Sequence, residues 1–266
     1  MINLLSAGYA RLFRSRIFLG GAAATMLMPL LITFASLAKN TVSGPLDGVY
    51  DSGLQIIWLV IGLTVSMFIG TDYDNKTINN KIMSGHPRAA IYLADLIVTY
   101  SGVVLMQVCG IVIGSAAAIP LFGMFSVSFK EFILSELFIL CILAVYTAIV
   151  LFITTIFNSK AHAQAVSMVT MLVVFAVGNI VYDQMVRREM NEHGSAAAAA
   201  VSQPSHEQEK DVWEVLYDLV PQCQTNRVLE AGGLPDDAAK MAGFDVAVIT
   251  VITAAGIFVF CKKDIK

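Results

Sequence analysis

The side chains of this sequence that could do chemistry are few, and their spacing assigns them none of the common reactions. Its four histidines, His86, His162, His193 and His206, are scattered, and no HExxH helix joins two of them. Cys109, Cys141 and Cys261 lie in apolar stretches and Cys223 in a polar one. With no CxxC pair and no Cys/His cluster, neither a zinc site nor a disulfide framework is indicated. GxSxG is absent, as is a Ser/Lys pair at suggestive spacing. GxxxxGK[ST] is absent too, so the chain binds no nucleotide through a phosphate-cradling loop. No catalytic residue, metal or cofactor is expected in the chain itself.

Polar groups inside apolar runs are the next place to look, because an ionisable residue in a membrane is a functional hypothesis by default. Asp95 lies near the start of one such run, about two turns from Arg88. Its leading reading is an ion pair with a basic residue of the preceding loop. Gln107 is deeper and uncharged, an interhelical hydrogen-bond donor worth about 0.6 kcal/mol. Glu136 sits at the end of another run. No charge is central in any apolar stretch, so proton- or sodium-coupled carriage, which needs embedded acids, is disfavoured. A transporter built this way would take its energy from elsewhere.

The elements that position these groups follow from composition. The chain has 266 residues, 57% apolar and only 14% charged, against about 25% charged in an ordinary soluble domain. A net charge of −3 leaves no basic field for nucleic acid. A membrane span needs about 20 apolar residues. Six stretches meet or approach this: Ile17–Ala38, Gly53–Gly70, Ala89–Ile119, Phe132–Phe157, Ala163–Tyr182 and Phe244–Cys261. The third is too long to stand upright and should tilt or protrude. The first, preceded by arginines, is too long for a signal core.

With the N-terminus inside, ten Lys and Arg fall in inner segments and two, Lys39 and Lys130, in short outer loops. Both termini are therefore expected to be cytoplasmic. The expected fold is an all-α membrane protein of six transmembrane helices, one domain over residues 1–266.

Around the spans, Met1–Arg16 places Leu4, Leu5, Tyr9, Leu12 and Phe13 on one helical face, with Arg11 and Arg14 off it. That is an amphipathic helix suited to the inner membrane surface. The inner loop Thr71–Arg88 reads TDYDNKTINNKIMSGHPR. Asp72 or Asp74 would cap a short helix ending near Ser84-Gly85, with Ile78, Ile82 and Met83 as its apolar edge. His86-Pro87 then breaks it. Lys39–Ser52 is a short outer loop with Gly44-Pro45 and Asp47-Gly48 turn signals. The outer segment Asp183–Gly243 is acidic and includes a low-complexity stretch, Ala196–Ser205. Beyond it, Val212 to Val220 has helical periodicity up to Pro221. One amphipathic helix is expected there. It would either lie at the membrane surface, with Trp213 and Tyr217 at headgroup level, or pack on the ends of the spans. Pro29 should kink the first span. Gly110 and Gly114 form a GxxxG step read as intramolecular helix packing.

This layout resembles the type-2 ABC-transporter permease family. The likeness is most specific in Asp72-Tyr73-Asp74-Asn75-Lys76-Thr77-Ile78, then Asn79 to Met83, Ser84-Gly85-His86-Pro87-Arg88 and Ile91-Tyr92-Leu93. Lys76 stands where Gly is frequent in that family. The resemblance implies that the loop is a cytoplasmic coupling helix docking on a separate ATP-binding subunit, which would carry ATP and Mg. Ile78, Ile82 and Met83 would give apolar contacts, and Asp74, Lys76, Thr77 and Lys81 polar ones. It also implies an exporter in the cell membrane, working as a homodimer or with a paralogue, with amphipathic cargo such as a peptide antibiotic or lipid. The competing reading is a membrane anchor or sensor that recognises a ligand through its acidic outer loop.

Overall fold

In a computed structural model, residues 1–38, 47–122, 128–194 and 207–263 are described. They form ten α-helices and, among the described residues, no strand. These are α1 (Ile2–Arg14), α2 (Arg16–Ala38), α3 (Asp47–Asp74), α4 (Thr77–Met83), α5 (Arg88–Phe122), α6 (Phe129–Ile156), α7 (Lys160–Gly194), α8 (Glu207–Leu219), α9 (Pro221–Ala231) and α10 (Ala238–Lys262). Six of them, α2, α3, α5, α6, α7 and α10, are long and apolar enough to cross a membrane. The chain is a multi-pass helical membrane protein. Large apolar side chains left exposed on α2 (Leu27, Leu31, Phe34) and α7 (Val169, Val173, Ile180) suit contact with lipid rather than water. The Gly44-Pro45 turn and the Ala196–Ser205 stretch lie outside the described residues.

Lipid is as apolar as leucine, so close packing rather than exclusion from water must hold these helices together. Glycine supplies the close approach. A Cβ on Gly114 would come within 2.9 Å of Pro29, and one on Gly110 within 3.3 Å of the Thr25 carbonyl. The GxxxG face therefore seats on α2 in the same chain. Thr25 is the residue whose carbonyl loses its helical donor because Pro29 has no N–H. Thr25 Oγ1 bonds across to the Met106 carbonyl of α5 at 3.3 Å, joining the two helices beside the kink. Trp58 of α3 stacks on Phe175 of α7 with ring centroids 4.6 Å apart. Around these contacts Ile61, Ile142, Leu143 and Met171 are fully buried.

One end of the bundle collects α1, α4, the start of α5 and the end of α10. Arg88, opening α5, donates through Nη1 to the carbonyls of Phe260, Cys261 and Lys263. These are carbonyls at the end of α10 that have no intrahelical donor. Lys263 repeats the device on α6, reaching the carbonyls of Thr155 at 2.6 Å and Phe157 at 2.9 Å.

Helix bounds differ from the sequence expectation most before Gly53 and after Tyr182: α3 begins at Asp47, so the Asp47-Gly48 step expected as a turn is helical. The fifth apolar helix runs on past Tyr182 to Gly194, and the sixth begins at Ala238 rather than Phe244. Two helices, not one, lie between them. Pro221 starts a second helix at its first turn, where its missing N–H is harmless.

Candidate functional site

The short helix α4 is the best-defined polar feature at the shared end. Lys81, near its last turn, places Nζ 3.1 Å from Asp72 Oδ2 at the end of α3 and 3.0 Å from Asp95 Oδ1 on α5. Arg11 of α1 pairs with the other oxygen of Asp72 and lies 4.0 Å over the Phe68 ring. Two cations and two carboxylates thus tie four helices together. The Asp72 side chain is 3% exposed and that of Asp95 13%. Burial pulls the Arg11 guanidinium below its ordinary value, and the charge of Asp95 opposes that shift.

The sequence placed Arg11 off the apolar face of α1. The structure turns it inward, because buried Asp72 requires a partner. Asp72 or Asp74 was expected to cap α4, and neither does. The capping position is Lys76, with no side-chain bond. Asp74 instead accepts the backbone N–H of Lys160 at 3.0 Å, at the start of α7.

Of the proposed docking residues, Ile78 is 2% exposed and belongs to the core of this chain. It cannot reach a partner from there, so its place in the docking edge is corrected: i and i+4 share a face, and Ile78 and Ile82 both turn toward the bundle. Met83 lies off that face and is 78% exposed. Thr77 is half-buried at the first turn of α4, and Asp74 and Lys76 are exposed. Lys76 has φ 53° and ψ 23°, the left-handed region. The helix closes through Gly85 at φ 83°, after which Pro87 precedes α5.

At the opposite end, α8 and α9 form a helical hairpin packed against α7, α6 and α10. The first turn of α9 is buried through Pro221, Gln222, Cys223, Gln224 and Thr225. Tyr146 of α6 donates its hydroxyl to Gln222 Oε1 at 3.1 Å, and Cys223 Sγ donates to the Gly178 carbonyl of α7 at 3.1 Å. Gly178 is 18 residues from the start of α7, about 27 Å along it at 1.5 Å per residue. The apolar layer of a bilayer is about 30 Å thick, so α9 starts within the depth of the spans rather than on their surface.

Polar bonds climb from that turn. Gln222 Nε2 donates to Asn226 Oδ1, and Asn226 Nδ2 to Asn179 Oδ1, both at 3.1 Å. Nearer the open end, Asp218 takes Arg227 at 2.9 Å and Lys240 at 2.5 Å, and Arg227 also reaches Asp237 at 3.3 Å. Burial pushes the Cys223 thiol up to about 12.

The sequence offered a surface helix or one packed on the span ends. The structure packs the hairpin between the spans, burying Tyr217. Gln107 donates to Glu136 Oε2 at 3.3 Å, linking α5 to α6. Glu136 and Asp245 each lie seven residues inside their helices. Asp245 escaped notice because Phe244 opens the most apolar part of its run. The polar Gln222, Gln224 and Asn226 at one-residue gaps were a usable signal, hidden by reading Pro221 as an end only.

No protein-family model matches this chain, and no curated protein matches it. Among the described residues no group of three or more His, Cys, Asp and Glu could hold a metal ion.

Proposed function

We propose that this chain is the permease subunit of an ATP-driven ABC exporter, with both termini cytoplasmic and α4 as its coupling helix. The observation that carries this reading is the clamping of α4. A seven-residue helix is too short to hold its shape alone. Here Lys81 bolts it to α3 and α5, and Ile78 anchors it in the core. A push on the exposed surface of α4 would pass to the spans as rigid-body motion. Nucleotide chemistry then belongs to a partner subunit, since this chain has no phosphate loop.

Lys76 adds support. It stands where the family resemblance expects Gly, and its backbone is left-handed, the conformation that glycine adopts at least cost. The charge asymmetry of ten basic residues against two in the short loops supports a cytoplasmic α4 end. A dimer with a second permease subunit would complete the pathway, with amphipathic cargo such as a peptide antibiotic. The sensor reading is weakened on one point: Asp218 and Asp237 of the acidic segment are already paired to Arg227 and Lys240.

Co-expression with a P-loop ATPase from a neighbouring gene, followed by detergent co-purification, tests the proposal. Met83→Asp should abolish recovery of the ATPase while leaving the yield and melting of the permease unchanged. Retention of the ATPase by that variant would remove α4 as the docking element.

A further inference from the structure

One carboxyl–amide pair inside the bundle is bonded on one side only. Asp245 of α10 is 1% exposed and Gln224 of α9 is 0% exposed. Gln224 Nε2 donates to Asp245 Oδ1 at 2.9 Å and to the Asp218 carbonyl at 2.7 Å. The second oxygen of each group, Asp245 Oδ2 and Gln224 Oε1, is buried with no hydrogen-bond partner among the described residues. Both are acceptors, because an ionised carboxylate has no donor and an amide donates only through nitrogen. Buried polar atoms are nearly always satisfied, and two orphans on two directly bonded groups call for one shared donor.

We propose that Asp245 and Gln224 form a proton-binding site. One proton taken from the medium sits on Asp245 Oδ2 and is donated to Gln224 Oε1. That closes a two-bond ring between acid and amide, and the ring latches the α8–α9 hairpin to α10. A single hydrogen satisfies both orphans. A metal cation is a poorer fit, since hard cations take six to eight oxygen ligands and this acid–amide pair leaves two oxygens without a partner among the described residues.

The charged neighbours do not supply the missing donor. Asp218 of α8 occupies Arg227 of α9 and Lys240 of α10, and Arg227 also serves Asp237. From α6, the titratable groups within electrostatic reach of Asp245 are Cys141 and Tyr146, and the hydroxyl of Tyr146 is spent on Gln222. Among the described residues no Lys, Arg or His pairs with Asp245. Release of the proton leaves a buried anion next to the Asp218 carbonyl, which favours opening the hairpin. The latch therefore reads the pH of the compartment at that end of the bundle, whatever the chain transports.

Cys223 is a built-in reporter one residue from Gln224, fully buried when the hairpin is seated. The full chain, with Cys109, Cys141 and Cys261 changed to Ser, is placed in lipid nanodiscs. It is labelled with a maleimide at pH values between about 6 and 9, as wild type and as Asp245→Asn at each pH. Asparagine reproduces the protonated pair, because its amide both accepts from and donates to Gln224. Labelling of the wild type should gain on the variant by up to about tenfold per pH unit, the limit for one proton. The variant should stay protected throughout. Infrared spectra should show a protonated-carboxyl stretch in the wild type that Asp245→Asn lacks. Faster labelling of the variant at every pH, or its failure to fold, means that the anion is required and overturns the proposal. So do equal labelling at all pH values, absence of the infrared band, or protection that follows added sodium instead of pH.

Discussion

Replacing Gly178 by Ala should unseat the α8–α9 hairpin, and the size of the effect follows from the geometry. A Cβ at this position would lie 2.4 Å from Gln222 Cβ, 2.9 Å from its Cγ and 3.2 Å from Val220 Cγ1. Carbon atoms rest at about 3.5–4.0 Å, so the first turn of α9 must retreat by more than about 1 Å. The obstacle is a Cβ fixed to the backbone, which no rotamer change relieves. Overpacking of this kind costs about 1–3 kcal/mol. The retreat also stretches the 3.1 Å Tyr146–Gln222 bond, worth about 1 kcal/mol. Against this, Ala in place of Gly inside a helix returns about 1 kcal/mol. The net loss is about 1–3 kcal/mol.

Gly20→Ala is the control, since nothing lies within 4 Å of a Cβ there. It keeps the helix gain without the clash. Thermal unfolding in mild detergent should separate the two variants, and maleimide labelling of Cys223 should rise in Gly178→Ala only. Equal stability, with Cys223 still protected in both, would refute the claim that α9 packs against α7 through Gly178.

Lys81→Ala should destabilise the folded chain by about 3 kcal/mol, the low end for removing one partner of a buried ion pair, as read by denaturant unfolding in micelles. Asp95→Ala made on top of it should add little, because the two share one interaction. Lys76→Gly should be neutral to about 1 kcal/mol stabilising, since it relieves a left-handed backbone at some cost in chain entropy; its melting temperature decides this. Maleimide mapping of the four thiols should label exposed Cys261 first and Cys223 last. The Cys223 thiol, pushed up to about 12 by burial, stays protonated at working pH, and the thiolate is the reactive form.

The spans were legible because each is a long apolar run bounded by charges, and length in a bilayer is a strong physical constraint. The end of α4 was legible for local reasons, through Ser84-Gly85 and His86-Pro87, but its start was not, since the capping position is Lys76 with no side-chain bond. What the pattern could not carry is which side of a polar helix faces in. Arg11 sits off the apolar stripe of α1, yet buried Asp72 draws it inward. Ile78 belongs to the apolar edge of α4, yet it and Ile82 face the bundle and only Met83 of that edge is left exposed. Both outcomes depend on neighbours from distant parts of the chain. The hairpin was missed for a related reason. A polar helix that lies within the depth of the spans keeps a surface-like composition, because its polar groups are answered by Tyr146, Asn179 and Asp245 rather than by water.

The grip of Arg88 on the last carbonyls of α10 also sets an order of assembly. The two partners are separated by 175 residues of chain, Arg88 to Lys263. At about 5–20 residues per second of synthesis, the third span enters the membrane roughly 10–35 s before its anchor exists. During that interval the guanidinium has only headgroups and water to answer it, and the start of α5 is free to shift in depth. Arrival of the end of α10 fixes that depth and with it the seat of α4. The third span is thus seated only once α10 is complete, and a nascent chain stalled before Phe260 would hold five complete spans and an unfinished sixth.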